Sequence, residues 1–223
     1  NENVAVTSTA TELNLLDGKA ATNLALVGKL AGTNFTDSII VGHSTTGTLN
    51  SASNNTAVGL NSLQDITSGG NNVAIGRLSL QSITSGSNNV AAGYNSLGAN
   101  TIGSNNVAFG RTTLDSNIDG IRNSGFGDAA LTGVTTGTRN IGIGFEAGTN
   151  ITTGSGNVII GQILADAVDS ARTLKIAGND GSTTTTWISG DSSGNVTVAG
   201  TLTTSSGAVA AQADVTALAI ALG

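Results

Sequence analysis

The chain has no cysteine, no proline and no methionine, and only 3% of its residues are aromatic. Each absence removes a class of protein. Without cysteine there is no disulfide framework and no thiolate metal site, and the redox compartment stays open. With so few aromatics, a core built mainly from bulky side chains is excluded. Charged residues make up 10%, well below the roughly 25% of an ordinary soluble domain. The net charge of −6, with a pI of about 4.4, argues against nucleic-acid binding, which needs a basic surface. No run of 18 apolar residues occurs, so no membrane insertion is expected. No basic-then-apolar leader pattern opens the sequence. A start at Asn1 and the lack of methionine are what a processed product or a segment of a longer polypeptide would show.

What the chain has in quantity is small. Of 223 residues, 32 are glycine, and 38% are apolar, too many for a disordered chain of this modest charge. Folded structure made from small residues implies thin layers packed closely, the composition of a fibre or a solenoid.

A fixed period confirms that direction. Asn55, Asn72, Asn89, Asn106, Asn123, Asn140 and Asn157 are each separated by 17 residues. Gly59, Gly76, Gly93, Gly110, Gly127, Gly144 and Gly161 keep the same register. So do Gly69, Gly86, Gly103, Gly120, Gly137 and Gly154, and Leu63, Leu80, Leu97, Leu114 and Leu131. One period back, "SIIVG" (38–42) aligns with "NVAIG", with Gly42 in the glycine column. The array therefore spans about 38–173, roughly eight units, with degraded ends as expected of caps.

Apolar residues two apart, such as Val73/Ile75, Val107/Phe109 and Ile141/Ile143, share one face of a strand. The residue between them is small: Ala57, Ala74, Ala91, Ala108, Gly125, Gly142. Consistent smallness implies close packing on that side too, so the strand is expected to be covered on both faces. The glycine column suits a bend with positive φ, and asparagine tolerates the left-handed region. Stacked asparagines can also form a hydrogen-bonded ladder. Leu80 and Ile83, three apart, break the period of two and point to a bulge or one helical turn.

One such coil holds only about three core-sized side chains. Three copies wound together would share an interior, meeting at the small-residue column. The expected fold is all-β, a β-solenoid or β-roll forming an intertwined homotrimer, with a single-chain β-helix as the alternative. Four parts follow: a connector over 1–37, the array over 38–173, a short-strand module over 174–207, and a possible coiled-coil start over 208–223. In the connector, Thr9, Glu12 and Gly18 mark a capping box, a short helix and its stop. In the module, "NDG" and "SSGN" separate short strands, and Trp187 reads as a packing residue. Ala211, Val215, Leu218 and Leu222 follow 4-3-4 spacing.

No catalytic motif is present. His43 is the single histidine, so one chain assembles neither a Ser-His-Asp triad nor a histidine metal site. Asp65, Asp115, Asp119, Asp128 and Glu146 fall in five different phases of the repeat, giving no carboxylate pair for glycoside hydrolysis. "GNDGS" (178–182) and "GDSSGN" (190–195) lack the ligand pattern of a calcium loop and read as turns. "SGGNNVAIG" (68–76) lacks the lysine of a phosphate cradle. No enzyme activity and no cofactor is expected. Thr67, Thr84, Thr101, Thr135 and Thr152 form a partial column, interrupted by Ile118, which leaves ice binding a minor alternative.

The units "NNTAVGLNSLQDITSGG NNVAIGRLSLQSITSGS" resemble a repeat of phage tail-fibre proteins and of some bacterial surface proteins. In that family a closing segment like "GNVIIGQ…TLKIAGNDG…TWISGDSSGNVTVAGTLT" follows, as it does here, and "TSTATELNLLDG" looks like connectors of marine-phage fibres. The "NNVAIG" core is similar to the β-roll heads of trimeric autotransporter adhesins. The resemblance implies trimers, an extended rod and attachment to a cell surface. Its expected function is a virion structural fibre for host attachment. Its partners would be sister copies, other fibre or tail proteins and a host receptor. A bacterial trimeric adhesin or extracellular filament at the cell surface is the alternative.

Overall fold

The computed structural model describes residues 28–32, 35–41, 50–200, 203–204 and 207–208. Within them the protein is all-β, with no helix. The helix expected near Thr9–Gly18, His43 and the spacing over Ala211–Leu222 lie outside the described residues.

Seven array units each contribute one three-residue strand: β4 (Thr56–Val58), β5 (Val73–Ile75), β6 (Val90–Ala92), β7 (Val107–Phe109), β8 (Ser124–Phe126), β9 (Ile141–Ile143) and β10 (Val158–Ile160). These seven pair in parallel and in register, each residue with its counterpart 17 positions on: Val73 with Val90, Val90 with Val107, Val107 with Ser124. The result is a solenoid of about seven turns, with strands stacked at about 4.8 Å. Before it, β1 (Gly28–Gly32) runs antiparallel to β2 (Phe35–Val41), and β2 pairs in parallel with β4, Ile40 opposite Ala57. Residues 38–41 of the backward extension of the repeat thus belong to a strand of the same stack. The two-residue β3 (Ala52–Ser53) also pairs with β2. After the array, β11 (Leu174–Asn179) joins β10 in parallel, and the chain then reverses. β12 (Thr184–Gly190) and β13 (Val196–Val198) add antiparallel, as the turn signals led one to expect. A separate pair, β14 (Thr203–Thr204) and β15 (Gly207–Ala208), follows.

The core runs up the middle of the coil. Leu63, Leu80, Leu97, Leu114 and Leu131 are fully buried, with Ile66, Ile83, Val134 and Ile151 beside them and Ala57, Ala74, Ala91 and Ala108 facing them from the strands. Each of those leucines holds a left-handed backbone, φ between 49° and 54°. That conformation costs a non-glycine residue about 1–2 kcal/mol. It turns the side chain inward, where full burial of a leucine is worth about 1.5–3 kcal/mol, while the Leu80 N–H bonds the Ser96 carbonyl of the next coil. Burial wins. The segment around Leu80 and Ile83 is therefore two successive turns rather than a bulge or a helix: left-handed Leu80 sits within the turn closed by Gln81 N–H to Leu78 C=O, and Ile83 N–H then returns to Leu80 C=O. Volumes compensate between coils. Where Gly148 takes the leucine position, the strand residue opposite grows to Ile159, 3.3 Å from a Cβ placed on Gly148.

Two expectations are corrected by this core. The small residue of each strand points to the interior of its own chain, and the larger pair points out. Each coil also closes on its own residues, so the small-residue column is already fully buried within one chain rather than waiting for sister chains to cover it.

The asparagine column is a buried ladder. Each Oδ1 accepts the backbone N–H of the next asparagine, as Asn106 does from Asn123 at 2.9 Å. From Asn55 to Asn140 each Nδ2 donates to a glycine carbonyl 14 residues on, as Asn123 does to Gly137 at 2.8 Å, and Asn157 donates to the Ser170 carbonyl instead. The left-handed residue is the one before it: Asn54, Asn71, Asn88 and Asn105 have φ of 58–62°. In "NN" the first residue makes the bend and the second fills it. The glycine column closes the strand. A Cβ on Gly110, at φ 135°, would lie 2.4 Å from the Gly127 carbonyl oxygen.

Candidate interaction face

Strand alternation decides what the outside of the sheet carries. With Ala74, Ala91 and Ala108 turned inward, their neighbours must turn outward. Ile75 is 49% exposed, Phe109 43% and Ile143 41%, and Val58, Phe126 and Ile141 are exposed beside them. Val73, Val90, Val107 and Val158 complete the face half-buried. Phe109 and Phe126 stack in adjacent coils, ring centroids 5.5 Å apart and 6° from parallel. No charged residue interrupts the stripe from β4 to β10.

One rim follows directly after the glycine column: Leu60, Arg77, Tyr94, Arg111, Asp128 and Phe145. The Arg77 guanidinium lies over the Tyr94 ring at 5.5 Å, and Arg111 pairs with Asp128 at 3.1 Å. Leu60 and Phe145 are exposed. Seven strands at about 4.8 Å and three residues at about 3.3 Å make a nearly flat apolar strip of roughly 300 Å² before the rim is added. That reaches the size of the largest patches on soluble monomers, which are often functional.

The asparagine and glycine columns, singled out from the sequence, lie inside and at the corner of the coil and build this face without forming part of it. The face itself was visible only as an alternation whose inward side was misassigned. The acids stay dispersed: Asp115 accepts from the Thr132 hydroxyl, and Glu146 from Gln162. Asp180 and Asp191 cap their own turns. Asp180 accepts the backbone N–H groups of Ser182 and Thr183, and Asp191 those of Ser193 and Asn195. Hydrogen bonds from Thr183 and Ser182 hold the Asp180 carboxyl below its usual value, and bonds from Asn195 do the same for Asp191. The threonine hydroxyls of the partial column point along the coil, Thr67 donating to the Thr84 carbonyl and Thr84 to that of Thr101. Trp187 is 53% exposed and packs its ring edge over Gly178, beside the register shift between Ile176 and Ala177. Among the described residues no helix is long and apolar enough to cross a membrane.

No protein-family model, curated protein or solved structure matches the chain. What it does is read from the face.

Proposed function

We propose that this chain is a structural and attachment element: a β-solenoid rod that joins two sister copies, face to face, as a homotrimeric segment of a virion fibre. The observation that carries this is the uncharged, mainly Val, Ile and Phe outer stripe of a parallel sheet, in which Thr56 and Ser124 are the two polar positions. A monomer leaves it in water over the whole length of the array, and identical copies offer a surface of the same shape and spacing. Burying roughly 300 Å² on each chain at about 25 cal/mol per Å² gives on the order of 7 kcal/mol per chain before the entropy of association. Stiffness comes from the asparagine ladder and in-register strands. Three copies displayed together would bind a cell surface multivalently. Sister copies occupy the sides, other fibre proteins the ends and a host receptor the exposed turns. Sedimentation equilibrium on the purified chain tests the self-association: a mass three times the chain mass is expected, and a monomer at tens of micromolar would remove the proposal.

A further inference from the structure

The left-handed corner position that opens each "NN" pair changes its residue type along the rod. It is Asn54, Asn71, Asn88 and Asn105, then Arg122, Arg139, Gly156 and Arg172. The backbone bond from each of these to the preceding coil continues through the change: Asn105 N–H to Ser87 C=O, Arg122 to Ser104, Arg139 to Ile121, Gly156 to Thr138, Arg172 to Ser155. All three arginines keep φ between 54° and 60° and are exposed.

Two costs attend this substitution. Asparagine is favoured in the left-handed region and arginine is not, so each exchange adds backbone strain. Arg122 and Arg139 also stand on adjacent coils, about 4.8 Å apart at the backbone, with like charges. Arg172 leans back across Gly156, its Cγ 3.4 Å from a Cβ placed there, which brings a third cation toward the row. Nothing ionic offsets them. Among the described residues the ion pairs are Arg111–Asp128 and Lys175–Asp166, and the ring contact is that of Arg77. Asp119 and Asp169, each three residues upstream of an arginine, are exposed and form no ion pair. Three of the eight cations of an acidic protein thus stand on one edge with no ion-pair partner among the described residues.

We infer that this edge binds an acidic polysaccharide. The partner must be anionic, because guanidinium groups pair with carboxylate or sulfate in a planar, bidentate fashion. It must be sparsely charged, because Asp119 and Asp169 and the net charge of −6 oppose a polymer as densely charged as DNA. Hydroxyls suited to sugar contacts line the same edge in the exposed Thr136 and Thr153, while the half-buried Ser104, Thr138 and Ser155 hydroxyls bond within the stack. The inference names the partner in the attachment role proposed above and rests on that role, but not on the apolar face.

The test compares the full chain with the triple variant Arg122→Asn/Arg139→Asn/Arg172→Asn, which restores the residue of the earlier coils. Binding is measured to hyaluronan and to polygalacturonate, with neutral dextran and duplex DNA alongside. The expected result is salt-sensitive binding to the acidic polysaccharides, weakened about tenfold or more in the variant at about 50 mM salt. The variant should melt at the same or a higher temperature and keep its oligomeric mass, since the strain and repulsion are gone. Equal affinity of the two proteins overturns the inference, as does tighter binding to DNA or equal binding to dextran. A variant that melts lower or changes mass assigns the arginines to the fold or to the contact between copies, and overturns it too. A trimer that ignores both polymers defeats this inference alone. A monomer that binds them defeats the trimer alone.

Discussion

The side-chain oxygen of Asn140 accepts two hydrogen bonds from Asn157, one from its backbone N–H and one from its Nδ2, each at 3.0 Å. The Asn140 Nδ2 in turn donates to the Gly154 carbonyl at 2.8 Å. Both residues are fully buried, so no water replaces a lost partner.

Asn140→Ala should therefore leave the Asn157 N–H and the Gly154 carbonyl unpaired, at roughly 1–3 kcal/mol each. Asn140→Asp keeps the shape but sets oxygen against oxygen at Gly154. Its carboxyl should be pushed up, so that the native state binds the proton more tightly and stability rises as pH falls. Urea denaturation at pH 7 and near pH 4 checks both; an Asp variant equally stable at the two would contradict the geometry.

Gly110→Ala places a methyl 2.4 Å from the Gly127 oxygen at a φ of 135°. The loss should be about 3 kcal/mol or more. Ala129→Gly, at φ 56°, is the matching control. It relieves a left-handed alanine and should be neutral or slightly stabilising in the same melt.

Asn100 and Asn117 stand in the core column otherwise filled by Ile66, Ile83, Val134 and Ile151. Asn117 Nδ2 donates to Asn100 Oδ1, but Asn117 Oδ1 has no partner. The carbonyls of Gly103 and Gly120, which these two side chains also serve, keep their bonds from Asn89 and Asn106. The double change Asn100→Ile/Asn117→Ile orphans nothing and should stabilise by about 1–3 kcal/mol. A fall in melting temperature would show that the amides are needed.

Ile75→Lys with Phe109→Lys alters only exposed positions of the outer face. The expected outcome is a folded monomer, with an unchanged β-type circular dichroism spectrum and one third of the parent mass. A variant that stays associated would move the contact between copies elsewhere.

The turns capped by Asp180 and Asp191 should be acid-sensitive. Both carboxyls are held below the usual value, so the native state binds fewer protons than the unfolded one. Their stabilisation is present above about pH 4 and is lost as pH falls through the depressed folded values. Protection of the amides of Ser182, Thr183, Ser193 and Asn195, taken relative to the intrinsic exchange rate at each pH, should fall near pH 2.5 relative to pH 5. Asp180→Asn and Asp191→Asn should flatten that dependence, each at its own turn.

The period was legible because every coil repeats the same bonds to the coil 17 residues away, so the Asn55–Asn157 column could not drift. The strands and the ladder followed from it. The direction of the strand was not legible. Large-small-large, as in Val107-Ala108-Phe109, reads alike whether the large or the small side faces the core, and only Leu114 across the coil decides. The turn also escaped, since leucine at positive φ is rare and leaves no mark in a sequence. The arginine edge was in plain view but carried no meaning until the structure gave Arg122 and Asn105 the same bend.

Each coil of the array bonds to the one before it and the one after it, and the two ends of the stack are finished by antiparallel strands outside the repeat. The copy number is therefore free to change. Adding or losing one 17-residue unit shifts the length by about 4.8 Å and leaves both termini of the stack as they were. A gene with such near-identical stretches can slip by whole units during recombination, and the product is a longer or shorter ruler built on an unaltered plan.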